Sequence, residues 1–218
     1  MCHSIIEYNV EMRESPTVST ILRAVTRARA AILSVALTYV ASVAIALVLA
    51  QTGNGVALAH RNRIVGAAQT NDLSALANKR GQPVRAALLD WSGNLCGAAV
   101  DSVLGMGVAF IYPMVAHRGW VGGIVSVEQD GTSRLRKPRT ATYYLLTLML
   151  QLTGYSLAGG AGVNLGMSMF RPRPFYQGRK WLRIFPQEAV LDVLRIYVLI
   201  VPVLGIASFW EFLSPWNH

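Results

Sequence analysis

The sequence predicts an all-α, polytopic membrane protein with about four transmembrane helices joined by interfacial helices. Three observations carry this expectation. Only 14% of the 218 residues are charged and 53% are hydrophobic, whereas soluble domains carry roughly 25% charged residues. Uncharged runs cover 30–50 and 141–170, and about 20 residues suffice to cross a bilayer. The basic residues gather between the apolar runs, as Lys and Arg do around membrane helices.

Residues 1–29 are expected to form a basic N-terminal segment, and 30–218 a helical membrane domain. Within 16–30, Ile21, Leu22 and Val25 alternate with arginines. That pattern fits a short amphipathic helix on the membrane surface and equally a solvated extension of the first span. The first span is expected over about 30–50. No short apolar core with a small-residue cleavage site stands at the start, so this run reads as an uncleaved anchor rather than a signal peptide. Residues 51–90 hold Arg61, Arg63, Lys79, Arg80 and Arg85, with Ala-Leu-rich patches such as 73–77 that suggest short interfacial helices. The second span is expected over about 93–116, uncharged except for Asp101. The next connection opens with HRGWVGGIVSV and ends in RLRKPR. Its Gly122 and Gly123 fit a re-entrant bend or a helical extension equally. The third span is expected over about 142–168. The fourth, over about 190–212, has an uncharged centre between Arg195 and Glu211.

Counts of Lys and Arg do not orient such a protein. Four precede the first span, and each of the three following connections holds five, so alternate sides receive nearly equal charge. Three arginines close to the first span, Arg23, Arg27 and Arg29, favour both termini in the cytoplasm under the positive-inside rule.

The third span contains AGGAGVNLG, although each glycine costs a helix interior about 1 kcal/mol relative to alanine. Helices in lipid associate through close backbone packing, which small residues allow. Gln151, Tyr155, Ala158, Gly162 and Gly166 fall on one face, and Asn94, Gly97, Asp101, Gly105 and Val108 share a spacing on the second span. These faces are expected to pack together, with Gly97, Gly105, Ala158, Gly162 and Gly166 as the seam. A single methyl, as in Gly162→Ala, is expected to fit, whereas leucine is not.

Asn94, Asp101, Gln151, Asn164 and Glu211 are the polar residues expected within the spans. An acid at membrane depth is costly and often functional, so Asp101 reads as a proton or cation site. It reads more readily as a structural acid bonded to Asn94, Gln151, Asn164 or a serine. Glu211 is expected at the aqueous interface, paired with Arg195 of another subunit or with a loop base. Arg171, Arg173, Arg179, Lys180, Trp181 and Arg183 form a basic-aromatic segment that suits membrane anchoring or partner docking.

The net charge of +9 would suggest nucleic acid in a soluble domain; here it fits anionic head groups. Two unlike cysteines and four scattered histidines give no disulfide framework and no metal spacing. No nucleophile elbow, HExxH, phosphate loop or dinucleotide fingerprint is present. The sequence therefore predicts no catalysis, cofactor or metal.

NLCGAAVDSVLGMGVAFIYPMVAHRGWVGG, with Asn94-Leu95, Gly105-x-Gly107 and Arg118-Gly119, resembles the stage II sporulation protein M family of integral membrane proteins. QLTGYSLAGGAGVNLG, from Gln151 to Gly166, is similar to that family's small-residue stretch, and Glu211 before Pro215 to its C-terminal acid. The likeness covers about 86–215. The chain departs from the pattern in lacking a His-Gly pair, in having Gln151 for a glutamate and in having Asn164 for a basic residue. The resemblance implies a multi-pass protein of the bacterial cytoplasmic membrane that works without catalysis in a larger complex. Two functions follow as expectations. The first is a non-catalytic scaffold or accessory subunit whose partners are lipids and other membrane subunits. The alternative is a transporter or channel subunit, with Asn94, Asp101, Gln151 and Asn164 lining a polar path.

Overall fold

A computed structural model describes residues 17–170, 176, 178 and 180–216. Among the described residues the regular structure is helical apart from a ribbon of two two-residue strands and an isolated bridge between Val127 and Ser133. Its elements are α1 (Val18–Gln51), α2 (Gly55–Asn71), α3 (Leu73–Lys79), α4 (Pro83–Met106), α5 (Ile111–Ile124), α6 (Pro138–Phe170), β1 (Lys180–Trp181), β2 (Phe185–Pro186) and α7 (Gln187–Leu213). Two of these, Val18–Gln51 and Gln187–Leu213, are long and apolar enough to cross a membrane.

Local chemistry sets the boundaries. Gly53 turns the chain at φ 76°, a left-handed conformation that costs glycine little. Asn54 then caps α2, accepting from Val56 N at 3.1 Å and Ala57 N at 3.2 Å. Asp72 caps α3 through Ser74 N at 2.8 Å. Gly81 turns at φ 71°, and Pro83 opens α4 in the first turn, where its missing N–H is no loss.

The stretch expected to form one helix over 93–116 is two. α4 stops at Met106, Val108 takes φ 58°, and α5 starts at Ile111. Pro113 explains much of this, because inside a continuous helix its ring would strike the carbonyl four residues earlier and remove a hydrogen bond. In the first turn of α5 it is harmless. The direction reverses across this break: Gly97 and Asp101 of α4 lie against Arg118 of α5.

Five legs therefore run the length of the bundle, each opposite to the one before. Call the end where α1 begins the near end. α1, α5 and α7 run from near to far: Tyr39 and Val43 of α1 meet Gly119 and Gly123 of α5, and Arg27 of α1 meets Asp192 of α7. α4 and α6 run back, with Asn94 beside Tyr155 and Met106 beside Gly166. An odd number of legs places Val18 and Pro215 at opposite ends of the bundle.

The short helices expected within 51–90 exist as α2 and α3. They meet the bundle at the far end through Ala57, packed with Ala46 and Ile124. Arg61, 4% exposed, donates to the carbonyls of Val127 and Glu128, tying α2 to the loop after α5. Between Gly122 and Gly123 the chain stays helical. At the near end, β1 and β2 pair antiparallel, Lys180 opposite Pro186.

Two apolar clusters fill the bundle. One joins Ala24, Ala28, Ala98, Tyr155, Ala158, Ile196 and Leu204, and the other Val35, Tyr39, Ile111, Val115 and Val163. Many large apolar side chains nevertheless point outward, among them Leu33, Leu37, Ile45, Val103, Met149, Leu194 and Ile206. The polarity is inverted relative to a water-soluble bundle, since Asp101 and Asp192 are 0% and 1% exposed while Leu37 is 67% exposed.

Candidate functional site

The glycines of α6 lie where other backbones come closest. A Cβ on Gly162 would stand 2.8 Å from the Ser102 carbonyl carbon and 2.9 Å from its Cα, with the carbonyl oxygen nearer still. One on Gly166 would stand 2.8 Å from the Met106 carbonyl carbon, and one on Gly105 2.7 Å from the Gly159 oxygen. Gly162 and Gly166 thus face α4 directly, and Gly160 faces the Ile32 backbone of α1 at 2.5 Å. This geometry corrects the expectation that alanine fits at 162. Ala158 is fully buried, and its carbonyl accepts from Ser102 Oγ at 2.9 Å. Gly97 does not face α6; it makes room for the Arg118 guanidinium, 2.9 Å from where a Cβ would stand.

Polar side chains occupy the bundle interior in three groups. At the near end, Arg27 of α1 donates through Nε to Asp192 Oδ2 at 2.7 Å and through Nη2 to Asp192 Oδ1 and to Glu188 Oε1. Arg195 donates to Glu188 at 2.5 Å and to Asp192 at 3.1 Å. Tyr176 donates to Asp192 at 2.9 Å and accepts from Asn164 at 2.7 Å. Burial pushes the Tyr176 hydroxyl up to about 12, so it remains a proton donor to Asp192 throughout the ordinary pH range.

In the middle, Asp101 pairs with Arg118 across the α4–α5 reversal, Oδ2 to Nε at 3.3 Å. The Arg118 guanidinium lies 4.1 Å from the Tyr155 ring centroid, a cation–π arrangement. Ser102 and Tyr197 share a hydrogen bond at 2.9 Å nearby.

The third group lies toward the far end. Tyr155 donates to Asn94 Oδ1 at 2.5 Å, and Asn94 donates to Asp90 Oδ2 at 2.8 Å and to Ser208 at 3.2 Å. Ser208 itself donates to Asp90 at 2.6 Å. Gln151 donates to Glu211 at 3.3 Å. Tyr155 therefore connects the middle group to the far one, with its ring on Arg118 and its hydroxyl on Asn94.

A cavity of about 470 Å³ opens at this end between α3, α4, α6 and α7. Asp90, Glu211, Gln151 and Tyr143 line it on the bundle side, and Lys79 and Arg134 line it as well. Among the described residues, no group of three His, Cys, Asp or Glu side chains could hold a metal ion.

The five polar residues expected within the spans are divided among all three groups, and Asp101 does not meet Asn94, Gln151 or Asn164. Its partner, Arg118, was assigned to a connection and became reachable only through the reversal at 107–110. Glu211 accepts a hydrogen bond from Gln151. Asp90, Arg27, Asp192 and Ser208 were also missed. Asp192 carried a signal, being an acid four residues after Glu188 and three before Arg195 in a mostly apolar helix. Lys180, Trp181 and Arg183 are exposed on the near-end ribbon and its turn, while Arg171, Arg173 and Arg179 lie outside the described residues. No family model matches the chain, and no curated protein or solved structure matches it.

Proposed function

We propose that the chain is a membrane-embedded scaffold or accessory subunit without catalysis, in which α1, the α4–α5 hairpin, α6 and α7 lie in the bilayer. The inverted polarity supports the membrane placement: side chains such as Leu37 and Val103 face outward while charged pairs are enclosed, as lipid favours. The single observation that carries the scaffold reading is the closed interior. Backbone meets backbone along the α4–α6 seam, and the charged groups inside bond to one another rather than line an open path. Ser92, Gly93 and Cys96 of α4 line a shallow groove together with Asn71, Asp72, Leu73 and Ser74 at the α2–α3 corner, and nothing lies within 4 Å of a Cβ built on Gly93. Small residues of this kind let helices approach closely in lipid. The resemblance to the stage II sporulation protein M family points the same way, toward a non-catalytic part of a complex in a bacterial cytoplasmic membrane.

Purification in mild detergent tests this reading. A partner protein is expected to co-purify stoichiometrically, and Gly93→Leu is expected to release it without lowering the melting temperature of the chain. A lone monomer under the mildest extraction would overturn the proposal.

A second reading, a transporter subunit, is favoured by the chain of contacts that runs from Asp90 at the far-end cavity through Asn94 and Tyr155 to Arg118 and Asp101. Proton or ion flux in proteoliposomes that Asp101→Asn abolishes, with the fold intact, would favour it over the scaffold.

A further inference from the structure

The near end of the bundle carries an apolar tip set among cations. The ribbon of β1 and β2 turns through Leu182 and Arg183, and the Ile184 N–H closes the turn by donating to the Trp181 carbonyl at 3.1 Å. Leu182 takes φ 52° and Arg183 φ 61°, a left-handed conformation that residues with a Cβ seldom adopt. Turns with two such positions usually hold Asn and Gly. Here large side chains occupy the turn, and Trp181, Leu182 and Ile184 are each more than half exposed. One exposed apolar side chain is ordinary, whereas several gathered on one tip form a patch that marks a contact.

The charge around this tip is one-sided. Lys180 and Arg183 are exposed beside it, and among the described residues neither takes part in an ion pair. The near-end acids Glu188 and Asp192 are held by Arg27 and Arg195 instead. Arg23 and Arg29 of α1 add two exposed cations at the same end. The ribbon also continues the apolar exterior of the bundle. Phe185 of β2 packs with Leu165 of α6 and Ala189 of α7, while Phe170 at the end of α6 and Leu194 on α7 point outward. A soluble anion would meet the cations and leave Trp181, Leu182 and Ile184 in water. A bilayer surface takes both, because aromatic and aliphatic groups enter the head-group layer while Lys and Arg meet negatively charged lipid.

We propose that the turn at 181–184 is a wedge that enters the head-group layer at the near end and selects anionic phospholipid. Trp181, Leu182 and Ile184 make the apolar contact, and Lys180 and Arg183 hold the anionic head group. The wedge rests on the membrane placement proposed above and adds a lipid partner at one identified point.

The full chain in nanodiscs tests it, in a background with Cys2 and Cys96 replaced by serine. Leu182→Cys and Ile184→Cys, in separate variants, carry a fluorophore, and Leu37→Cys on the outward face of α1 carries the same label as the reference for the bilayer interior. Quenching is read with spin-labelled phosphatidylglycerol and phosphatidylcholine at equal mole fraction. The Leu37 label is expected to be quenched equally by both lipids. The labels at 182 and 184 are expected to prefer phosphatidylglycerol by about fivefold for each neighbouring cation, or roughly 25-fold for the two. Lys180→Gln or Arg183→Gln alone is expected to reduce the preference to about fivefold, and the double variant to abolish it. Tip labels that stay in water while Leu37 is quenched would overturn the wedge and leave the membrane placement standing. A Leu37 label in water as well would overturn both. Equal quenching of the tip by the two lipids, or a preference unchanged in the double variant, would overturn the selection of anionic lipid. Shielding of the tip only when a co-purified protein is present would make the turn a protein contact and overturn the wedge.

Discussion

Gly162→Ala measures the α4–α6 seam directly. The new Cβ would stand 2.8 Å from the Ser102 carbonyl carbon, while carbon atoms rest at about 3.5 Å or more. The helices must therefore separate by about 0.7 Å or more at that point. Gly105 and Gly166 lie in the same seam, and the Ser102 hydroxyl bonds the Ala158 carbonyl across it, so separation loosens all of these together. Overfilling of this kind costs about 1–3 kcal/mol, partly offset by the roughly 1 kcal/mol that alanine gains in helix propensity. At about 2–4 °C per kcal/mol for a chain of this size, a net loss of up to about 2 kcal/mol lowers the melting temperature in detergent by up to about 8 °C. Gly66→Ala on α2 is the control, because nothing lies within 4 Å of its Cβ. It keeps the propensity gain and is expected to melt at or slightly above wild type. Gly162→Ala melting alongside Gly66→Ala would refute the seam.

Three further outcomes are expected. Asp101→Asn and Arg118→Gln each leave one charge enclosed without its partner, at a cost of about 3–5 kcal/mol for a buried pair, whereas the double variant recovers most of the loss. A thermodynamic cycle in detergent reads the coupling, and purely additive losses would mean that the pair is not formed. Asp192→Ala removes the acceptor shared by Arg27, Arg195 and Tyr176 and is expected to cost about 3 kcal/mol. By contrast, Glu128→Gln at the exposed Arg134 contact changes stability by under about 1 kcal/mol; equal losses for the two would refute the distinction. Finally, cysteines at positions 18 and 215, in a background with Cys2 and Cys96 replaced by serine, are expected to react with an impermeant reagent from opposite faces of sealed vesicles. Reaction from the same face would restore an even number of legs.

The helical class and the close approach of α4 to α6 were legible because each rests on a local pattern: missing charge in the first case, small residues three or four apart in the second. The reversal at 107–110 was less so. Pro113 marked it, but a continuous apolar run concealed the turn, since hydropathy does not register direction. That one oversight accounts for several others. With 93–116 drawn as a single helix, Arg118 fell outside the bundle and Asp101 lost its partner. The near-end cluster was hidden for another reason. Arg27 and Asp192 are separated by 165 positions, and nothing local to either one announces the other.

Under the proposed membrane placement, the reversal between α4 and α5 also constrains how the chain would enter a bilayer. α5 has 14 residues, about 21 Å of helix at 1.5 Å per residue, against a hydrocarbon core of about 30 Å. It is too short to be threaded as an independent segment, and it carries Arg118, whose insertion alone would be costly. α4 has the complementary difficulty of Asp101. Entering as a closed pair, the two helices neutralise each other's charge before either meets lipid. On that placement the hairpin is the unit of insertion, and translation passes Ile124 before α4 commits to the bilayer.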